Sequence, residues 1–135
     1  MRGSSLIHVA TIAVLAVQAS PGFGQATPHG GQFQVNTYTT GSQGVPAIAV
    51  DPLGRMLVVW MSLLETGDLE WGLRGQLYAA DGTPQGAPFR VNNSTASNQK
   101  WPSIAATADG DFVVVWDSSV STGSDSAGYS IPGRR

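Results

Sequence analysis

The chain says nearly the same thing twice. "FQVNTYTTGSQGVPAIAVDPLGRMLVVWMS", residues 33–62, and "FRVNNSTASNQKWPSIAATADGDFVVVWDS", residues 89–118, agree at 13 of 30 places without a gap. Phe33 aligns with Phe89, Pro46 with Pro102 and Trp60 with Trp116, each pair 56 positions apart. A self-match at one fixed spacing means a small unit used in tandem, each copy burying against the next a face that it cannot bury alone. The identities fall on apolar strand positions, a proline, a turn glycine and a tryptophan, where a fold constrains residue type most.

Each unit reads as four short strands. The first is "FQVN" or "FRVN". A polar loop carrying Gln43 or Gln99 follows, then a proline, which a strand tolerates at its start but not in its middle. The second strand is "AIAV" or "SIAAT". It ends at Asp51-Pro52-Leu53-Gly54, with the residues of a type I turn, or at Asp109-Gly110, which supplies the positive φ a hairpin needs. The third is "MLVVW" or "FVVVW", and the fourth, "LRGQLYA", closes at Asp81-Gly82. A strand with one wet face alternates apolar and polar residues. The third strands do not, and read as ribbons covered on both faces, rich in the β-branched and aromatic residues that suit such a surface. The pattern therefore predicts an all-β fold of two tandem four-stranded antiparallel repeats, propeller-blade-like, with a small two-sheet β-sandwich as the alternative.

Composition narrows the function. Only 12% of the 135 residues are charged, about half the usual share, the net charge is −2, and no Lys/Arg block exists to form the basic face that nucleic-acid binding requires. The N-terminus has one Arg, an apolar run over residues 6–17 and a break at Pro21-Gly22, which is the layout of a secretory signal peptide. The run is too short for the roughly 20 residues of a membrane-spanning helix. Small residues allow cleavage after Ala19 or Ala26, and Ala26 is favoured because mature-protein composition begins just beyond it. The expected organisation is a signal peptide at 1–26, a first β repeat with its N-terminal lead-in at 27–88, and a second, C-terminally truncated β repeat at 89–135. The product is expected to be secreted, or held at the cell surface or in the periplasm, with no membrane contact after cleavage. With no cysteine in the chain, packing alone must hold it together.

From residue 32 onward the chain resembles a family of repeats in large secreted bacterial proteins, whose units run "EFQVNT…Q..P.VA…DG.FVVVW.S…G.GI.GQRY…G". The resemblance is carried by "QFQVNTYTTGSQGVPAIAVDPLGRMLVVW", "RGQLYAADGTPQGAPFRVN" and "QKWPSIAATADGDFVVVWDS". It implies propeller-like blades and an exported location, and no activity. Two units are fewer than the four to eight blades of a closed propeller. The second unit ends at "GYSIPGRR" where the first continues "WGLRGQLYAADG", so the expectation is the front of a longer array. A bare blade face forgoes burial of several large side chains at roughly 1.5–3 kcal/mol each, a large part of a domain's roughly 5–15 kcal/mol. Self-association, or packing on further β repeats, is the expected remedy.

Chemistry-bearing residues are few. His29, in "TPHGG", is the only histidine beyond the leader and lacks the setting of a catalytic base. Glu65, Asp68 and Glu70 form an acid cluster of the kind glycoside hydrolysis uses, but the second unit has no counterpart, and the arginines (Arg55, Arg74, Arg90) are scattered. The loops at 65–72 and 121–128 offer oxygen atoms without the spaced aspartates of a calcium loop, so weak calcium binding is the most they suggest. No metal site and no cofactor is expected. Trp60 and Trp116 repeat and are expected in the core. Trp71 and Trp101 do not repeat, and are the candidates for stacking on a glycan or peptide; Tyr129 sits at roughly the place that matches Trp71. "NNST" holds an Asn-x-Ser/Thr acceptor pattern. The function expected is that of a non-enzymatic secreted β-repeat module, structural or ligand-binding, with the N-terminal fragment of a propeller-type hydrolase as the alternative.

Overall fold

The computed structural model describes residues 30–65, 67–120 and 128–135. The expected leader, His29 and most of the loop at 121–128 lie outside them. Four strands, β1 (Gln43–Val50), β2 (Met56–Leu63), β3 (Trp71–Tyr78) and β4 (Pro84–Arg90), form sheet A as an antiparallel meander in chain order. Three more, β5 (Gln99–Ala106), β6 (Phe112–Ser118) and the two-residue β7 (Gly133–Arg134), form sheet B. No helix occurs among the described residues.

The turns are built as their residues dictate. The Asp51 carbonyl accepts the Gly54 N–H at 2.9 Å, and Gly54 takes φ +80°, where a side chain would be strained. The buried Asp51 carboxylate accepts the N–H groups of Leu53 and Arg55 at 2.9 and 2.8 Å and the Arg55 guanidinium at 2.6 Å. Burial opposes its charge, but these donors outweigh that and hold its pKa below the ordinary value. Arg55 also donates to the Gly110 carbonyl at 2.7 Å, tying the β1–β2 turn to the β5–β6 turn.

The hairpins β1–β2 and β5–β6 share one register. Ile48 faces Val58 as Ile104 faces Val114, and Ala47 faces Val59 as Ser103 faces Val115. Both slip between Gly44 and Ala47, or between Lys100 and Ser103. Pro46 and Pro102 thus lie inside strands rather than opening them, because a β-bulge takes the imide nitrogen out of the ladder. The residues before them, Val45 and Trp101, take φ of 50° and 52°. A further difference concerns the expected first strands. Residues 33–36 form no strand, and Phe89 and Arg90 lie in β4, the last strand of sheet A. The Val91 N–H continues this pairing to the Leu73 carbonyl at 2.9 Å.

The core lies between the sheets. Leu57, Val59, Met61, Leu73 and Val91 of sheet A and its continuation meet Val114 and Trp116 of sheet B, with Trp71, Leu77, Ile104 and Phe112 packed around them. Odd-numbered residues of β2 face this core, but even-numbered residues of β6 do. Under the 56-residue spacing Val114 corresponds to Val58, not to Val59. The sheets therefore use opposite faces of one design and pack front to back. Gly75 permits the close approach of Phe89 across β3, since a Cβ there would stand 2.9 Å from that ring.

These observations correct the expected architecture in two respects. The described residues form no closed barrel or propeller; they form two packed antiparallel sheets, as in the sandwich alternative, with three strands rather than four in sheet B. And of the two ribbons expected to be covered on both faces, β2 is and β6 is not. Sheet B is the outermost layer on its side, so Val115 of β6 is 40% exposed.

Candidate functional site

Trp101 stands at the rim of a cleft of about 260 Å³ lined by Asn98, Lys100, Trp101, Asp117, Ser119 and Tyr129. Lys100 and Asp117 are cross-strand partners at one end of the outer face of sheet B. The bulge turns Trp101 outward, so its indole is 58% exposed and Tyr129 opposite is 74% exposed. The Lys100 ammonium lies 5.9 Å from the centroid of the Trp101 ring, near the limit of a cation–π contact. Two exposed rings beside an amide, a hydroxyl, a cation and a carboxylate suit a polar ligand with an apolar face, such as a sugar. The positive φ of Trp101 is not itself a functional signal, because Val45 holds the same conformation in the other bulge. Trp71, the other aromatic candidate, is half-buried against the inter-sheet core and does not line the cleft.

The acid cluster is held in ion pairs. Asp68, buried, lies 2.6 Å from the guanidinium of buried Arg74 and 3.5 Å from that of Arg90, while Glu65 meets Arg74 at 3.1 Å. Asn92 donates to Asp68 at 3.4 Å and to the Ser94 carbonyl at 2.7 Å, and its amide oxygen accepts the Leu73 N–H at 2.7 Å. A Cβ at Gly72 would collide with the Asp68 carboxylate, so the glycine makes room for the cluster. Glu70 accepts a hydrogen bond from Asn98. These contacts tie the β2–β3 loop to the loop that links the sheets. The burial of Asn92 removes it as a glycan acceptor and leaves Asn93, exposed, as the one open asparagine of "NNST". Among the described residues no group of three or more His, Cys, Asp or Glu side chains converges as metal donors, and no helix is long and apolar enough to cross a membrane.

A third arrangement was not visible in the sequence. In sheet B the buried Trp116 indole N–H donates to Gln99 Oε1 at 2.8 Å, and Gln99 Nε2 donates to Ser118 Oγ at 3.0 Å. Sheet A holds the same three residue types at Trp60, Gln43 and Ser62. There, however, Gln43 accepts from Asn36 at 3.2 Å and donates to the Thr40 carbonyl at 3.0 Å. Trp60 Nε1 and Ser62 Oγ are buried and meet no hydrogen-bond partner among the described residues. Desolvated polar groups of this kind are costly and uncommon.

Compared with known proteins, the chain matches no family model, no curated protein sequence and no solved structure.

Proposed function

We propose that this is an exported, non-enzymatic β-module that works by stacking like sheets face to face, a structural unit of propeller-blade-like design. It would act outside the cell, at its surface or in the periplasm, in contact with further β repeats rather than with nucleic acid. The observation that carries this reading is the front-to-back packing of two hairpins with one register. Such packing leaves a usable face at each end: Ile48 and Val50 on sheet A, Val115 and Ile131 on sheet B, all exposed. The leader-like N-terminus supports export, and the engagement of Glu65 and Asp68 with arginines supports a structural role for the acid cluster.

The test is a chain carrying residues 33–135 twice, joined by a second copy of residues 78–88, the segment that leads from the end of β3 into β4. Calorimetry should show one cooperative transition well above that of the single unit, because a new inter-sheet core forms. Two units melting independently at the original temperature would refute the reading.

A second reading rests on the exposed Trp101 and Tyr129: the cleft of sheet B holds a glycan or an extended peptide. An array screen with Trp101→Ala as control tests it. The cleft lies on a face that stacking would cover, so a ligand there must compete with assembly. Turnover by the duplicated chain on a hydrolase panel would restore the alternative of a hydrolase fragment.

A further inference from the structure

Residues 33–36 have a counterpart whose place is known. "FRVN", residues 89–92, closes sheet A: Arg90 pairs with Arg74, Phe89 lies opposite Gly75, and the Val91 N–H donates to Leu73. From there the chain crosses to β5, and sheet B stacks on the inner face of sheet A. "FQVN", residues 33–36, forms no strand, leads in the same way to β1, and has an exposed phenylalanine whose ring centroid lies 5.8 Å from that of Tyr78. Sheet B offers the matching dock. Gly133 lies opposite Val115 as Gly75 lies opposite Val59, and β7 is the edge strand of its sheet.

We infer that copies of this chain associate head to tail. Residues 33–36 of one copy add as the fourth strand of sheet B of the next, beside β7, and the outer face of sheet A packs on the outer face of that sheet B. This contact repeats between molecules the one that sheets A and B make within the molecule. It rests on the proposed stacking function and names the partner as a second copy.

The unpartnered atoms on the outer face of sheet A fit the same arrangement. Gln43 is now engaged by Asn36, at its amide oxygen, and by the Thr40 carbonyl, at its amide nitrogen. When residues 33–36 leave to join a neighbour, Gln43 Oε1 loses Asn36 and can accept from Trp60 Nε1, as Gln99 Oε1 accepts from Trp116. Exchange of the Thr40 bond for Ser62 Oγ would complete the match to Gln99 and Ser118. Ile48 and Val58 of the arriving sheet would then sit where Ile104 and Val114 sit in the internal interface.

Such a contact is heterologous, since two different patches meet, and this separates it from a two-fold dimer. Ile48→Asp spoils the outer face of sheet A and Ile131→Asp that of sheet B; the residues are 58% and 68% exposed, so both variants should fold. In sedimentation velocity the purified full chain should grow in mass with concentration. Each variant alone should remain a monomer at concentrations where the wild type is mostly associated. An equimolar mixture should regain a 1:1 dimer and nothing larger, because one intact face of each kind remains. Hydrogen exchange at residues 33–36 and 133–134 should slow as the wild type associates.

A wild-type chain that stays monomeric, a single variant that still associates, or a mixture that regains nothing would overturn the inference. So would unchanged exchange at residues 33–36. The duplicated chain could still melt as one unit in that event, so the stacking function and the association of separate copies fail separately.

Discussion

Trp60 and Trp116 occupy equivalent positions, are about equally buried, and should respond unequally to replacement by phenylalanine. The loss of ring volume is the same at both sites, so packing and cavity costs largely cancel in the comparison. What differs is the indole N–H. At position 116 it donates to Gln99 Oε1 at 2.8 Å, and Gln99 is almost fully enclosed. Trp116→Phe strands that oxygen, at a cost of about 1–3 kcal/mol. At position 60 the N–H meets no acceptor among the described residues, so Trp60→Phe removes a desolvated donor and breaks no bond seen there. Trp116→Phe should therefore destabilise by about 1–3 kcal/mol more than Trp60→Phe. For a domain of this size each kcal/mol moves Tm by roughly 4–8 °C, so the melting curves separate clearly. Calorimetry should be run at a concentration where sedimentation shows monomer, because stacking would give Trp60 its partner and shrink the gap. Adding Gln99→Leu to Trp116→Phe should recover part of the loss, since removing both partners costs less than removing one. Equal losses at the two tryptophans, or a larger loss at Trp60, would refute the reasoning.

Other expectations follow from single contacts. Asp68→Ala leaves the buried Arg74 guanidinium with Glu65 as its remaining carboxylate partner and should cost about 3 kcal/mol in urea denaturation. Asp51 has a pKa below its ordinary value, so its stabilising contribution is complete above the unfolded carboxylate's pKa and is lost as pH falls through the folded one. Asp51→Asn should thus melt lower than wild type at pH 7, and the gap should begin to close only as pH falls below about 4. Val45, β-branched and at φ 50°, is strained and exposed; Val45→Gly should raise stability by up to about 1 kcal/mol, read as a shift in Tm.

The strands and turns were legible because their signals are local. Gly110 takes the positive φ its position implied, the chain turns at Asp51–Gly54 as those residues implied, and "MLVVW" and "FVVVW" are strands. What the repeat could not supply was phase. An internal match gives the period of 56 and the equivalences, but not which sheet a boundary segment joins, so "FRVN" looked like the start of a unit and proves to end the one before. The proline rule misplaced the start of β1, since the bulge that shelters Pro46 depends on its partner strand. The same limit applied to the cleft. Trp101 stood out as a tryptophan that does not repeat, but Lys100, Asp117 and Tyr129 come beside it only once β5, β6 and the segment before β7 are in register. Nor could the sequence separate Trp60 from Trp116. Their difference lies in the partners of the neighbouring glutamine: Gln99 bonds Trp116 and Ser118, whereas Gln43 bonds Asn36 and Thr40.

Front-to-back packing has a consequence that packing of like faces would lack. When like faces meet, a pair is saturated; when opposite faces meet, each addition presents a fresh face and growth stops only by ring closure or by weakness. Weakness is built into sheet B. Its outer face has Asp117 where the inner face of sheet A has Met61, and Ser119 where sheet A has Leu63. A carboxylate entering an apolar interface must be desolvated, so the contact between copies should be looser than the contact within one. Asp117→Met should reverse this. Burying a methionine side chain gains about 1.5–3 kcal/mol, which is roughly a ten- to hundredfold tightening of association. Sedimentation equilibrium measures it directly. If Asp117→Met left the association constant unchanged while the fold stayed intact, the outer face of sheet B would not be the surface on which a second copy settles.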